Sequence, residues 1–433
     1  MEMQTKNLAA AFTGFSKLGR DERLKALLDM GALEIDDIAY LRNGGLKDMS
    51  FADSFIENAI GYLEMPLGIA TNFRIDGRDY AIPMAVEETS IIAAASKTAR
   101  WVRDCGSITT ATRGAHIIGQ IQCARVGNWA RFQARLSARK GHLIALANQE
   151  PAASLVRRGG GVNDLEIRAI SRPDGGTMGV VHVLLDPRDA MGANIVNQVC
   201  EFLRPHIEEC TGESVTMCIL SNLVDTKLTL AEVRLTEIEA DLAQRIQEAS
   251  LFGEEDPYRA ATNNKGVLNG IDAVVVATGN DWRAVEAGVH AYAARDGRYR
   301  SITRWRVDGR HLVGKLEAPL VVGTVGGVTK LHPTASMCLR MLGVASANEL
   351  SCVAAAVGLV QNLGALRALT TVGIIEGHMK LHARNLSLGA GARLEEVPVL
   401  QQRLEEVLRI QKRISHSNAV ELLQQMRSAA AGG

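Results

Sequence analysis

Hydrophobic positions recur with two different periods along the chain. Near the N-terminus, Leu24 and Leu27 share one face of a helical pattern, and a glycine follows where that helix would end. Residues 73–85 instead alternate apolar and polar positions around Asp76-Gly77, a dipeptide typical of tight hairpin turns. The pattern therefore predicts short N-terminal helices followed by a β-hairpin.

The middle of the chain contains a second ordered series of elements. Its hydrophobic pattern predicts, in order, a strand, a helix, a β-hairpin, a helix and a strand, at residues 117–126, 128–148, 164–187, 194–210 and 215–220. This order is that of a ferredoxin-like domain. We therefore predict an α+β protein with a large mixed domain (residues 1–113 and 223–375), an inserted ferredoxin-like domain (114–222) and a small helical C-terminal flap (376–433).

Residues 261–288 contain the most distinctive stretch of the chain. A polar loop carrying Lys265 precedes the apolar run 273–277, and a polar turn ending in Asp281 follows it. We interpret the run as a buried strand, with Lys265 and Asp281 on the turns at its two ends. The two side chains would meet as a charge pair if glycines fold the first loop back. The alternative is a surface lysine and an aspartate that caps the helix beginning near Trp282.

Other polar side chains stand out against their surroundings. Glu87 and Glu88 precede a helix that begins near Ser90, either as pocket carboxylates or as acids of its first turn. Gln361 and Asn362 interrupt a helix rich in small apolar residues. Because a buried amide must be hydrogen-bonded, we predict that both face a ligand.

Composition excludes several classes of function. The 433 residues suggest two or three domains, and the 48 basic residues equal the 48 acidic ones, so nothing attracts nucleic acid or an anionic membrane in bulk. We expect no membrane span, since we find no segment that approaches about 20 consecutive apolar residues, and the N-terminus lacks a signal-peptide pattern. The seven cysteines show no paired spacing, which favours a reducing cytoplasm.

Two motifs bear on cofactors. His378 and His382 have the i, i+4 spacing of metal ligands but lack a third ligand, so we predict no metal. A GxGxxG motif is also absent, which disfavours a Rossmann site. The residues Asp189–Gly192 precede a helix, however, and backbone N–H groups at a helix N-terminus suit a pyrophosphate.

Several segments resemble one family in the same order along the chain. They are ENAIG from Glu57, DAMGAN from Asp189, NNKG from Asn263, ATGNDWRAVEAG from Ala277 and GHMKLHAR from Gly377. All are similar to motifs of 3-hydroxy-3-methylglutaryl-coenzyme A (HMG-CoA) reductases, particularly the soluble bacterial class II enzymes. The resemblance implies reduction of HMG-CoA to mevalonate and coenzyme A, or the reverse oxidation. It also implies an active site between two subunits of a dimer, commonly assembled into a trimer of dimers.

The resemblance assigns a role to individual residues. Lys265 would stabilise the substrate oxyanion, Glu88 would donate protons, Asp281 would couple the two, and His378 would protonate the coenzyme A thiolate. Thr89 stands where the family has proline, a departure beside the predicted acid. The resemblance places the cofactor on Asp189, Met191, Gly192 and Asn194, and the substrate on Ser90, Arg259 and Asn269, to which we add Gln361 and Asn362.

The choice of nicotinamide cofactor is a separate prediction. Glu150 follows a Leu-Ala-Asn tripeptide, after which NADH-preferring relatives place an acid that binds the ribose hydroxyls. Arg157 and Arg158 would instead attract the 2′-phosphate of NADPH. We predict NADH, with NADPH as the alternative.

Other functions fit the sequence less well. A thiolase-like acyl-coenzyme A enzyme needs a nucleophilic cysteine, and none of the seven lies in a glycine-rich turn. RNA binding by the insert would need aromatic residues on its strands. A non-catalytic acyl-coenzyme A binding protein stays open as an alternative, although the four predicted catalytic residues are all present.

Overall fold

A computed structural model describes residues 12–371, 383–411 and 413–431. Its strands are β1 (Leu67–Ile75), β2 (Arg78–Ala85), β3 (Gly106–Gly114), β4 (Ile117–Cys123), β5 (Gly161–Ser171), β6 (Thr177–Asp186), β7 (Met217–Ser221), β8 (Lys227–Leu235), β9 (Thr303–Asp308) and β10 (His311–Ala318). Its helices are α1 (Arg20–Asp29), α2 (Ile35–Arg42), α3 (Met49–Phe55), α4 (Ile91–Cys105), α5 (Trp129–Gln149), α6 (Ala153–Val156), α7 (Ala193–Thr211), α8 (Ala240–Glu255), α9 (Pro257–Ala277), α10 (Trp282–Ala293), α11 (Gly327–Leu331), α12 (Pro333–Leu342), α13 (Ala347–Thr370), α14 (Val397–Gln411) and α15 (His416–Ala431).

A six-stranded sheet organises the large domain. Its strand order is β2-β1-β3-β8-β10-β9, and only the short β1–β3 contact is parallel among the described strands. The hairpin predicted around Asp76-Gly77 is confirmed, since Ile75 pairs with Arg78 across it. Both turn residues have positive φ, 50° and 80°, as a two-residue hairpin turn with right-handed strand twist requires.

The run 273–277 is not a strand, which corrects the prediction. It is the last part of α9, a continuous helix of 21 residues that also contains Lys265. The Asp256 side chain caps its start by accepting the Tyr258 N–H, and Pro257 occupies the first position. Valine runs of this length fit either structure, and here burial of one helical face outweighs their preference for strands.

The core of the large domain depends on close contact between α9 and α13. A Cβ at Gly270 would stand 3.0 Å from the Val357 carbonyl oxygen, so the glycine permits this approach. By length and composition, α13 is the one described helix that meets the criteria for a membrane span, contrary to the expectation of none. Most of its residues are buried inside the domain, and we therefore interpret α13 as a core helix.

The ferredoxin-like order of the insert is present in the structure. The antiparallel sheet β5-β6-β4-β7 packs through its inward residues against α5 and α7, and all of these elements lie within residues 117–221. The chain enters the insert from β3 and returns through β8, which pair side by side at Gly114 and Lys227.

The described C-terminal residues form a separate small core. Residues 383–389 are helical, and with α14 and α15 they bury a cluster around Leu400, Leu404 and Leu423. Ser415 and Asn418 bind each other's backbone N–H groups at the start of α15, which forms a capping box. His378 lies outside the described residues.

Candidate active site

Lys265 and Glu88 meet although they are far apart in sequence. Lys265 lies on the exposed stripe of α9, and its Nζ is 3.2 Å from Oε2 of Glu88, in the link between β2 and α4. The two side chains are 63% and 46% exposed. An ion pair this exposed contributes at most about 1 kcal/mol to stability, so little free energy opposes its rearrangement around a ligand.

The link that carries Glu88 ends in an unusual backbone conformation. Ser90, the residue before the first turn of α4, has φ of 74°, in the left-handed region that non-glycine residues rarely adopt. Such conformations cluster at functional sites, where the surrounding structure holds them. Glu87 and Glu88 both lie in this exposed link rather than in β2.

A cavity of about 880 Å³ opens beside Glu88 and Ser90, between α1, β1 and α4. Apolar side chains of α1 and β1 form much of its wall, and four basic side chains also line it: Arg20, Arg23, Lys97 and Arg100. Lys97 and Arg100 lie one turn apart on α4 and follow Ser90 in sequence. Neither residue was predicted, although their i, i+3 spacing after the predicted acid was a usable signal.

Asp281 occupies the position described by the alternative interpretation. It is the N-cap of α10, and its carboxylate accepts the N–H groups of Arg283 and Ala284 at 3.1 and 3.2 Å. Its predicted coupling to Lys265 stays a prediction.

The predicted substrate residues have different environments. Arg259 is half-buried in the first turn of α9, and burial lowers the pKa of its guanidinium. Within the described chain it has no carboxylate partner. Asn269 is half-buried on the same stripe as Lys265, one turn further along α9.

Gln361 and Asn362 differ, although they are adjacent in α13. Oε1 of Gln361 is buried and has no hydrogen-bond partner among the described residues, as expected of a group that awaits a ligand. Asn362 accepts a hydrogen bond from the Trp305 indole at 2.8 Å and donates one to Asn263 at 2.9 Å. Its amide is thus used within the core, which corrects the prediction that both residues face the substrate.

The residues predicted to hold the cofactor surround the start of α7. Gly192 has φ of 90° and directly precedes this helix of 19 residues. Asn194 is exposed in the first turn, Met191 is half-buried, and Glu150 is exposed just after α5. The free N–H groups of the first turn suit a pyrophosphate, so these residues fit a dinucleotide. Asp189, by contrast, directs its carboxylate toward the large domain, where it accepts the Ala347 N–H at 3.0 Å.

Among the described residues no three His, Cys, Asp or Glu side chains are placed to hold a metal ion. The predicted absence of a metal stays a prediction, because His378 and His382 lie outside that part of the chain.

Comparison with known proteins decides the family. The family model described as hydroxymethylglutaryl-coenzyme A reductase matches residues 19–383. The chain belongs to this family. The HMG-CoA reductase of Archaeoglobus fulgidus is 44% identical over 425 residues, which cover 97% of this chain and 96% of that protein. A probable HMG-CoA reductase of Borreliella burgdorferi is 32% identical and covers 87% of this chain and 88% of its own length.

Solved structures of HMG-CoA reductases agree with the fold. The Streptococcus pneumoniae enzyme superposes with a TM-score of 0.81 at 37% identity, covering 96% of this chain and 99% of that one. A structure of the class II enzyme from the same organism, bound to NADPH in open conformations, superposes with a TM-score of 0.80, covering 83% and 100%. The resemblance inferred from the motifs and the predicted fold class are thus confirmed.

Proposed function

We propose that this chain reduces HMG-CoA to mevalonate and coenzyme A, using two equivalents of a reduced nicotinamide cofactor. The observation that carries the proposal is the Lys265–Glu88 pair, 3.2 Å long, at the side of a cavity that Glu88 and Ser90 line. The pair combines a positive charge with a carboxyl group that can act as a proton donor, the two groups that reduction of a thioester carbonyl requires.

Lys265 stabilises negative charge on the substrate oxygen. Each reduction step places charge on that oxygen, and an ammonium group held beside it acts as an oxyanion hole. The ammonium lies on the exposed stripe of α9, and its pairing with Glu88 is weak enough to be shared with a substrate.

Glu88 and His378 supply protons. Glu88 donates a proton to the oxygen that Lys265 stabilises, and Asp281 helps to orient the lysine. Coenzyme A leaves as a thiolate, whose thiol has a pKa of about 8.5 in water. The His378 imidazolium protonates it.

The cavity residues bind coenzyme A. Its phosphates carry negative charge, and Lys97, Arg100 and the two arginines of α1 supply positive charge along the cavity wall. Arg259 is half-buried, has no acidic partner among the described residues, and binds the carboxylate of the HMG group. Ser90, Asn269 and Gln361, whose Oε1 has no hydrogen-bond partner in the described part of the chain, contact the acyl portion.

The cofactor binds at the start of α7. The reduced nicotinamide, when bound, supplies the hydrides. Met191, Gly192 and Asn194 hold the pyrophosphate region through backbone N–H groups and the polar amide. The exposed carboxylate of Glu150 accepts hydrogen bonds from ribose hydroxyls, and we therefore propose a preference for NADH. A preference for NADPH that depends on Arg157 or Arg158 would overturn this assignment.

We further propose that the chain acts as a dimer, assembled into a trimer of dimers, in the cytoplasm. Ile60 of the ENAIG segment and its neighbours Ile56 and Leu63 are 100%, 58% and 97% exposed. Apolar side chains this exposed support a subunit contact. Analytical ultracentrifugation gives the mass, and a monomer at micromolar concentration would contradict this assembly.

A spectrophotometric assay tests the activity. Purified protein is mixed with mevalonate, coenzyme A and either NAD or NADP, and formation of the reduced cofactor is followed. Lys265→Ala should lower the rate by about 10²-fold or more. Lys315→Ala is the matched control, because Lys315 pairs with Glu232 at 3.3 Å and is 68% exposed. Equal rates for the two variants would refute the role of Lys265.

A further inference from the structure

Three distant segments of the chain meet next to Asp281. They are the turn 278–281 after α9, the segment 322–324 of the large domain and the loop 189–192 of the insert. Gly323 is buried at their centre, and a Cβ there would stand 2.6 Å from the Met191 nitrogen. The loop therefore rests directly on the backbone of the large domain.

Two consecutive backbone N–H groups bind the turn and the loop. Gly323 donates to Oδ1 of Asn280 at 2.7 Å, and Thr324 donates to the Asp189 carbonyl at 2.9 Å. The same short segment thus connects the residue before Asp281 to the first residue of the loop.

The Asn280 side chain is held at both ends. Its Nδ2 donates to Oγ1 of Thr278 at 3.1 Å, and that fully buried hydroxyl donates to the Val274 carbonyl at 2.9 Å. The Asn280 N–H also donates to the Val275 carbonyl at the end of α9. The amide oxygen therefore points at Gly323 in one defined orientation.

Asp189 is attached to the large domain twice, through its carbonyl to Thr324 and through its carboxylate to the Ala347 N–H. Lys227 is buried nearby. Burial lowers the pKa of its ammonium, and the charges of Asp186 and Asp189 oppose that effect. These contacts fix where the loop begins relative to the large domain.

We propose that Asn280 is a positioning residue that holds the loop 189–192 in register with Asp281 during reduction, and that Asp189 is its counterpart on the insert. The inference rests on the function proposed above. Loss of the amide oxygen leaves the buried Gly323 N–H without its acceptor. A displacement of about 1 Å between reacting groups can cost on the order of 10²-fold in rate.

The test compares three variants of the full-length protein. Asn280→Ala removes the acceptor, and Asn280→Asp keeps an oxygen at the same place. Asn197→Ala is the matched control, because Asn197 also accepts one backbone N–H, that of Leu220 at 2.9 Å, but inside the insert. We would measure kcat and KM for HMG-CoA, the isotope effect with deuterated reduced cofactor, melting temperature, and hydrogen exchange in a peptide covering Gly323 and Thr324.

Asn280→Ala should lower kcat about tenfold or more, with KM for HMG-CoA within about threefold and a larger isotope effect, because hydride transfer becomes slower. Exchange of the peptide covering Gly323 should be faster in Asn280→Ala and close to wild type in Asn280→Asp. Asn197→Ala should leave kcat and the isotope effect unchanged.

Three results would overturn the proposal: unchanged exchange near Gly323 in Asn280→Ala, unchanged kcat and isotope effect despite faster exchange, or an equal loss of kcat in Asn197→Ala at equal loss of melting temperature. An inactive wild-type protein would instead refute the proposed function, and the positioning role with it. An active wild type with normal Asn280→Ala kinetics refutes the positioning role alone.

Discussion

Two Lys–Glu pairs in the large domain have nearly the same geometry. Lys265–Glu88 is 3.2 Å long and Lys315–Glu232 is 3.3 Å long, and all four side chains are substantially exposed. Lys315 and Glu232 are direct neighbours in register on adjacent strands β10 and β8. Lys265 instead connects a helix to an irregular link that ends at the strained Ser90 and borders the cavity.

The difference between the pairs lies in their surroundings. A cross-strand pair follows from sheet register alone and needs no function to explain it. The pair at Lys265 joins residues 177 positions apart, in a link without regular hydrogen bonding, beside a cavity large enough for a substrate. The N–O distance and the exposure of an ion pair therefore do not indicate whether it has a function. The backbone that carries the two residues, and the cavity beside them, are better indicators.

The largest expected effect distinguishes the two glutamates. Glu88→Gln should lower the rate of HMG-CoA reduction by about 10²–10⁴-fold, because a general acid is lost while the shape is kept. Glu232→Gln should leave the rate within about twofold of wild type, since this carboxylate does not line the cavity and contributes only a weak ion pair. Steady-state assays of both variants beside wild type measure this, and a similar loss in both would contradict the distinction.

Asp272 and Glu286 form a pair of like charges, in contrast to the two Lys–Glu pairs. Asp272 follows Lys265 by two turns of α9, and burial, together with the charge and hydrogen bond of Glu286, raises the pKa of Asp272 to about 8. The folded protein binds the proton of the Asp272 carboxyl more tightly than the unfolded chain does. The contribution of this carboxyl to folding stability is therefore fully present below pH of about 4 and is lost as the pH rises through about 8.

Asp272→Asn, which is neutral at every pH, should therefore gain stability over wild type as the pH rises from 5 to 8, on the order of 1–3 kcal/mol. Urea midpoints at several pH values measure the difference. Glu286→Gln should show a smaller gain in the same direction. A stability difference that does not depend on pH would contradict the raised pKa of Asp272.

The cavity beside Glu88 gives a third contrast. Replacing Lys97 and Arg100 together with alanine should raise KM for HMG-CoA about tenfold and leave kcat within about twofold, because charge is lost from binding and not from the reacting centre. An acyl-pantetheine substrate without the nucleotide phosphates is the control, since its KM should not change. An equal rise for both substrates would place the phosphates elsewhere.

The smallest effect should be on stability. Neither pair should contribute more than about 1 kcal/mol, because both are exposed. Double-mutant cycles on Lys265/Glu88 and Lys315/Glu232, read by urea denaturation, should give coupling energies of similar size. A much larger coupling energy in the Lys265–Glu88 pair would mean that this pair also supports the fold.

Local patterns were sufficient for much of the fold. The hairpin at Asp76-Gly77 and the element order of the insert follow from turn chemistry and hydrophobic period, which act over a few residues. The error at residues 273–277 has a tertiary cause, because Gly270 and Ile271 of the same helix pack against α13, which is about 90 residues away in sequence and not visible to a local pattern.

The motifs predicted Lys265, Glu88 and Asp281 as residues of the site, and these roles stay predictions. Spacing along the chain does not show which side chains bind one another. The basic side chains of the cavity belong to α1 and α4, and the Asn280–Gly323–Asp189 contacts join three segments separated by tens to more than a hundred residues. Both depend on the assembled tertiary structure.

The pairing of β3 with β8 has a topological consequence. Gly114 and Lys227 are Cα partners on adjacent antiparallel strands, so the two ends of the insert lie about 5 Å apart. A turn of only two residues can join strand ends at that separation. The whole insert is therefore, in topological terms, the tip of one hairpin, and the six-stranded sheet would remain continuous if that tip were shortened to a simple turn.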